Sequence, residues 1–343
     1  DKLLFEGEYL NGKRNGKGKE YYKNGNIKFE GEYLNGIKIR GKGYDINHKL
    51  ILILNENNGT EYYNNGNKQF DGECKNGRKW NGKIYNKEGK EEFEIKNGKG
   101  KGKEYYENGK LKFEGEYVDG LRNGKGKEYE DGKLIFEGEY LNGKRHGKGK
   151  EYNDDVELDF EGEFINGKRN GKGKEYWWHG KLIFEGEYLN GKRRGKGKEY
   201  DYNGKLKFEG KYLNEKRHGE GKEYRNGKLI FEGDYLNGIV NGKGKEYDYY
   251  KGNLIYEGEY KNGKRNGKGK EYDKTNGTIF EGEFLNGIKN GKAKIYYVND
   301  RTTFEGEYLN GIINGKAKIY YENGNLKFDG EYLNGLKNGK IKE

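Results

Sequence analysis

Phe5-Glu6-Gly7-Glu8-Tyr9-Leu10-Asn11-Gly12-Lys13-Arg14-Asn15-Gly16-Lys17-Gly18-Lys19-Glu20-Tyr21 returns almost unchanged at Phe184 to Tyr200, and this stretch decides the fold. Its side chains alternate with period two, which is the strand signature and not the helical one. In the copy from Ile27 to Tyr33, residues Ile27, Phe29, Gly31 and Tyr33 share one face, while Lys28, Glu30 and Glu32 share the other. Turn chemistry bounds both strands. Gly12 to Asn15 reads as a four-residue loop, and Asn24-Gly25 as a two-residue hairpin loop, because both residue types tolerate positive φ.

Working outward, the aromatic that opens each unit recurs at Phe5, Phe29, Phe70, Phe113, Phe136, Phe160, Phe184, Phe208, Phe231, Tyr256, Phe280, Phe304 and Phe328. From Phe113 onward the intervals are 23 to 25 residues. Two eroded units fill the gaps, around Ile51 to Tyr62 and from Phe93, so the chain reads as roughly fifteen units of a repeat array. The expected organisation is one array over 1–343. Residues 40–100 are degenerate and form an irregular joint around the apolar run Leu50-Ile51-Leu52-Ile53-Leu54.

The two loops imply a register. The four-residue loop pairs Tyr9 with Gly18, Glu8 with Lys19, Gly7 with Glu20 and Phe5 with Tyr22. The two-residue loop pairs Tyr22 with Ile27, Glu20 with Phe29, Lys19 with Glu30 and Gly18 with Gly31. Both keep the same residues on the same face, as a consistent sheet requires. The fold class is therefore all-β, an elongated, twisted antiparallel meander of repeated hairpins. Aromatic rings beside glycines can lie over exposed backbone and cover the ladder without a second layer. On the other face each lysine strand lies between glutamate strands. Glu20 falls on the aromatic face, where a carboxylate has no obvious place.

Composition excludes a conventional core: 30% of residues are apolar, 37% are charged and 62 are glycine, so order has to come from the 33 Tyr and 15 Phe set at regular intervals. A net charge of +11 is less than one per repeat. No apolar run approaches the ~20 residues of a membrane-spanning helix. The expected setting is soluble, cytoplasmic or within a larger assembly. Cys74 stands where neighbouring units carry Tyr and reads as a small apolar substitute. Catalysis finds little support, because the chain has no serine and its five threonines lie outside the repeated strand core. His48, His146, His179 and His218 are scattered, and His146 and His218 merely replace Asn in a loop. Carboxylate pairs such as Glu6 and Glu8 recur in most units, whereas an acid/base pair needs one special environment. The Gly-Lys-Gly-Lys run lacks the remainder of a phosphate loop. No enzyme activity, metal, cofactor or small-molecule substrate is expected.

The unit Phe-Glu-Gly-Glu-Tyr-Leu-Asn-Gly-Lys-Arg-Asn-Gly-Lys-Gly-Lys-Glu-Tyr resembles the MORN repeat. The continuation Tyr105-Tyr106-Glu107-Asn108-Gly109-Lys110-Leu111 resembles the variant common in bacterial and viral arrays. The chain departs from the usual form in carrying Tyr or Phe where tryptophan is frequent. The resemblance implies a twisted β-meander used for scaffolding, dimerisation and protein recognition. It also implies two alternatives: contact with anionic phospholipid, and the neutralising of a toxin by some bacterial members.

The informative variation follows the Asn-Gly turn. It is basic in the central units, at Leu121-Arg122, Lys144-Arg145, Lys168-Arg169, Lys192-Arg193-Arg194, Lys216-Arg217 and Lys264-Arg265. Toward the C-terminus it becomes apolar, at Ile239-Val240, Ile288-Lys289, Ile312-Ile313 and Leu336-Lys337. Equivalent loops align along one edge of a meander. The basic residues then make either a solvated edge or a site for an anionic membrane surface, and at solvated tips their reversal to Glu leaves folding intact. Interleaved acids argue against sequence-reading nucleic-acid contact. Apolar tips have no solubility rationale and mark a protein interface or self-association at Ile239, Val240, Ile288, Ile312, Ile313 and Leu336. Asp1-Lys2 enters in mid-turn and Lys340-Ile341-Lys342-Glu343 stops short of a tyrosine. The expectation is a chain that continues, or open edges that join further copies.

At about 4.8 Å per strand, some thirty strands give a contour of roughly 140 Å. Small-angle scattering is expected to report a radius of gyration well above the ~20 Å of a globule of this length, and a value near that figure rejects the meander.

Overall fold

The computed structural model describes residues 3–106 and 108–342. Asp1, Lys2, Glu107 and Glu343, and the side chains of residues 340–342, lie outside the described residues, and with them the end features expected there. The chain is all-β. Nine strands from Phe5–Leu10 to Glu91–Ile95 pair in chain order, and a second sheet begins at Gly100–Tyr105 and continues in chain order to Leu336–Lys342. The chain forms two compact units, Asp1–Gly171 with Trp178–Gly180, and Lys172–Trp177 with Lys181–Glu343.

The two loops exchange roles relative to the expectation. Asn11-Gly12 is the two-residue turn, with φ of 51° and 73°, and it pairs Leu10 with Lys13 and Tyr9 with Arg14. A bulge then absorbs Asn15, Gly16 and Lys17 against Glu8, so that Gly7 meets Gly18, Glu6 meets Lys19 and Phe5 meets Glu20. Asn24-Gly25 belongs to a three-residue loop closed by Gly25 N–H to Tyr22 O at 2.9 Å and Tyr22 N–H to Asn26 O at 2.9 Å. Only Gly25 takes positive φ there, at 91°. Both loops read Asn-Gly, and loop length alone does not tell them apart. The second register survives at Gly18–Gly31, Lys19–Glu30 and Glu20–Phe29, with Tyr21 in place of Tyr22 opposite Ile27.

This register puts two glycines side by side under the ring, or a glycine and an alanine under Phe280 and Phe304. Phe113 lies over Gly115 and Gly126, which face each other across the ladder. Tyr117 and Tyr140 close its sides edge-on, with centroids at 5.6 and 5.1 Å. The ring is 0% exposed in a sheet one layer thick. Burial of that kind is worth about 2 kcal/mol per ring. Phe136, Phe160, Phe184 and Phe208 are equally covered.

The ladder breaks between Ile95 and Gly100, where Lys96 and Lys99 form a lone bridge. The cause is legible in hindsight: Phe93 to Tyr105 is four residues shorter than Phe5 to Tyr21, because both strands lose the segment that makes the bulge. Phe70, Ile84 and Ile95 pack together there with Cys74 and Phe93. Burial pushes the Cys74 thiol up to about 11, in keeping with a small apolar filler.

A methyl group at Gly115 would sit 2.6 Å from Phe113 Cζ and 2.7 Å from both Gly126 Cα and Lys125 O. Gly126 is the more forgiving partner, because Ala293 and Ala317 already occupy its position opposite Gly282 and Gly306. Gly115→Ala is expected to cost about 3 kcal/mol and Gly126→Ala about 1 kcal/mol by thermal melting. Equal costs reject the stacked-glycine account.

Candidate functional site: the turn edge and its arginine lids

The corrected register moves the arginines off the tip. The first residue after Asn-Gly projects at the turn, whereas the second pairs with tyrosine on the aromatic face, as in Tyr117–Arg122, Tyr140–Arg145, Tyr188–Arg193, Tyr212–Arg217 and Tyr260–Arg265. Arg122, Arg145, Arg169, Arg193, Arg217 and Arg265 each hold the guanidinium 4.0 to 4.3 Å above a ring centroid. Only 16 to 25% of each side chain is exposed. They are lids on the phenylalanine boxes and not a solvated stripe. A four-residue loop would have freed them, but the two-residue turn draws them into the strand.

The lids also answer the question posed by Glu20. Glu128, at the equivalent position, accepts from Arg122 Nη1 at 2.6 Å and from Arg145 Nη2 at 2.6 Å, and Glu151 does the same for Arg145 at 2.9 Å and Arg169 at 2.6 Å. In the second unit Arg217 lies between Glu199 and Glu223 at 2.6 and 2.5 Å. Arg265 lies between Glu246 and Glu271 at 2.5 and 2.8 Å. The result is an alternating seam of charges in which Glu128 and Glu151 each serve two repeats, as Glu271 does through Arg265 and Lys289. Burial alone would raise the Glu104, Glu199 and Glu246 carboxyls. The facing arginine and a tyrosine hydroxyl outweigh it, and all three end below the usual carboxylate range.

The tips behave differently. Lys144, Lys168, Lys192, Lys216 and Lys264 are exposed and have no carboxylate within ion-pair distance among the described residues, and Arg194, which replaces the loop Asn, is likewise exposed. Ile239, Ile288, Ile312 and Leu336 occupy this position too, with 52, 50, 50 and 74% exposure. Val240 and Ile313 take the lid position and are half-buried opposite Tyr235 and Tyr308. The lid change at Ile313 is coordinated, because Ile295 and Ile319 stand where its two clamping glutamates would be. His146 and His218 fill the loop Asn position with Nδ1 buried and without a hydrogen-bond partner among the described residues. Among the described residues no group of His, Cys, Asp and Glu could hold a metal ion.

Consecutive turns are tied together. The turn glycine donates its N–H to the lid carbonyl of the preceding hairpin, as in Gly143 to Arg122, Gly287 to Arg265 and Gly311 to Lys289, each at 2.8 Å. Beyond Ile288 and Ile312, the Cγ2 of each lies 3.2 Å from the point a methyl would occupy on the next turn glycine. Sequence reading missed one feature altogether. On the charged face of the second unit, a groove of about 1360 Å³ runs over Gly221, Gly244, Gly269 and Ala293 between rows of alternating Lys and Glu. Its hollow depends on sheet curvature, which the period-two pattern does not encode. No helix among the described residues is long and apolar enough to cross a membrane.

Two family descriptions match the chain. One, a MORN repeat, covers residues 5–27, 113–133, 136–155, 160–177, 184–205, 208–228, 231–249, 256–278 and 280–300. The other, a MORN repeat variant, covers 99–119 and 313–334. No curated protein matches the chain.

The clamp has an acid limit. Because the folded carboxyls are depressed, their contribution is fully present above the unfolded value and is lost as pH falls through the folded one. The melting temperature is expected to hold from neutrality to about pH 5 and to drop below it. Arg145→Glu would set a third carboxylate between Glu128 and Glu151 and is expected to cost about 3 kcal/mol, whereas Lys144→Glu leaves the melt unchanged within about 0.5 kcal/mol. Equal melts for the two variants reject the lid assignment.

Proposed function

The chain belongs to the MORN-repeat family, and from that premise we propose that it is a non-enzymatic scaffold that recruits a protein partner through the turn edge of its second unit. What carries the reading is the row of exposed tips Ile288, Ile312 and Leu336, each paired across its turn with an exposed Leu285, Leu309 or Leu333. Leucine at that strand end recurs throughout the array. Lysine at the tip is what these hairpins have given up. An apolar edge on a chain this polar gains nothing in water and gains area on contact with a partner.

A second reading, contact with anionic lipid headgroups, is favoured by one observation: the tips Lys144 and Lys168 in the first unit, and Lys192, Arg194 and Lys264 in the second, are free of carboxylates among the described residues. The lid arginines do not contribute to it, since glutamates already engage them. Lipid contact of this type falls steeply with salt.

The triple substitution Ile288→Lys, Ile312→Lys and Leu336→Lys restores the tip residue that Lys144 and Lys168 show to be compatible with the turn. It is expected to leave the melt unchanged and to abolish partner capture in a pull-down at physiological salt. Sedimentation of the purified chain separates a second copy from a different partner. If the triple variant retains everything the parent retains, the edge is not the docking surface. If vesicles rich in acidic lipid bind the chain and are released by salt, the lipid reading replaces it.

A further inference from the structure

We propose that Asn76 is a site of spontaneous backbone modification, converting through a succinimide to aspartate and isoaspartate, and that the fold shields those Asn-Gly turns whose glycine amide is held by the preceding hairpin. The reaction needs only water. The Gly77 amide nitrogen, once deprotonated, attacks Asn76 Cγ. A bond forms between that nitrogen and Cγ, the Cγ–Nδ2 bond breaks, and Nδ2 leaves as ammonia after taking a proton from water. Water then opens the ring at one of its two carbonyls. The net change is loss of ammonia and gain of water, with no oxidation or reduction.

Three observations bear on this turn. First, the attacking group is occupied in the turns that serve for comparison, whereas Gly12 shares the open amide of Gly77 among the described residues. The turn glycine N–H is held by a carbonyl of the preceding hairpin, at 2.8 Å for Gly36 to Arg14, Gly167 to Arg145 and Gly238 to Arg217, and at 2.7 Å for Gly98 to Trp80. Gly77 N–H has no acceptor among the described residues. Its predecessor is the eroded hairpin Asn55 to Asn58, which turns its Asn57 carbonyl to the Cys74 amide instead. Second, the Asn76 side chain makes no hydrogen bond among the described residues and Asn76 and Gly77 are both exposed, as is also true of Asn142, Asn166 and Asn310, so that these turns differ from it in the glycine amide and the flanking charges. Third, Lys75 and Arg78 flank the pair across the turn, and nearby cations favour the deprotonated amide.

The Asn-Gly pairs of the opposite loop edge are held in another way. The Asn24, Asn65 and Asn108 Oδ1 atoms accept from the amide two residues on, at 3.1, 3.0 and 3.0 Å, while the following glycine closes the loop. Asn226 is tethered to the Tyr249 hydroxyl at 2.9 Å. Conversion at Asn76 places a carboxylate between Lys75 and Arg78. In the isoaspartate form it also adds a backbone methylene to a two-residue turn next to Cys74.

The full chain is incubated in mildly alkaline buffer made with ¹⁸O-water. Peptide mapping, with fragmentation that separates aspartate from isoaspartate, follows Asn76 beside Asn142, Asn166 and Asn310. In the folded chain Asn76 is expected to convert roughly tenfold faster than the held sites, the ratio that a lost amide hydrogen bond implies, and faster again as pH rises. In denaturant the ratio is expected to shrink to the smaller effect of the flanking Lys75 and Arg78. Equal rates in the folded chain overturn the proposal, and so does a ratio that denaturation leaves undiminished, since it would come from local sequence and not from the turn.

Discussion

A phenylalanine ring laid on two glycines is the contact on which everything else rests. A single sheet has no second layer, so a ring on its surface keeps one side wet. Here the missing Cβ atoms let the ring sink onto the backbone, two tyrosines wall it, and an arginine covers the remaining side. Each residue type of the repeat follows from that requirement. Glycine is the floor, tyrosine the wall, and arginine a lid that can be apolar toward the ring and charged toward its neighbours.

The lid explains why so polar a chain orders at all. A guanidinium on a ring is desolvated on one side and would be costly alone. Glutamates on both flanks neutralise it, and their sharing between successive lids joins boxes that would otherwise be independent. Where the lid is aliphatic the clamp can go too, as Ile295, Ile313 and Ile319 show. The C-terminal hairpins therefore exchange an electrostatic seam for an apolar one while the phenylalanine boxes stay closed, with Phe304 and Phe328 buried.

Much of this was legible. Period two, the aromatic intervals and the Asn-Gly punctuation led directly to an antiparallel meander, and the glycine floor followed from residue types alone. The register on one side of the repeat was also right, at Gly18–Gly31 and Lys19–Glu30. The other side failed because two Asn-Gly pairs look alike and only one forms the two-residue turn. That choice sent Arg14 and its equivalents to an imagined tip and left Glu20 without a partner. The two errors were one error, since the lid and the clamp meet only when the bulge at Gly16 is recognised. The groove of the second unit had no local signal to find.

Sharing a glutamate between two arginines, as at Glu128 and Glu151, has a consequence for how such a chain can change length. Excising a segment from one arginine lid to the next, as from Arg122 to Arg145, removes one arginine and one glutamate together and rejoins the strand pattern that was cut. The seam then closes over the deletion with its charges still alternating, and the following turn glycine finds a new lid carbonyl in the expected place. Duplication works in the same way. A cut of half a repeat strands an acid or a base on the aromatic face and inverts the strand order. Among its arginine-lidded hairpins the array is thus divisible at whole repeats, and recombination between near-identical copies can lengthen or shorten it while keeping the lid-and-clamp pattern.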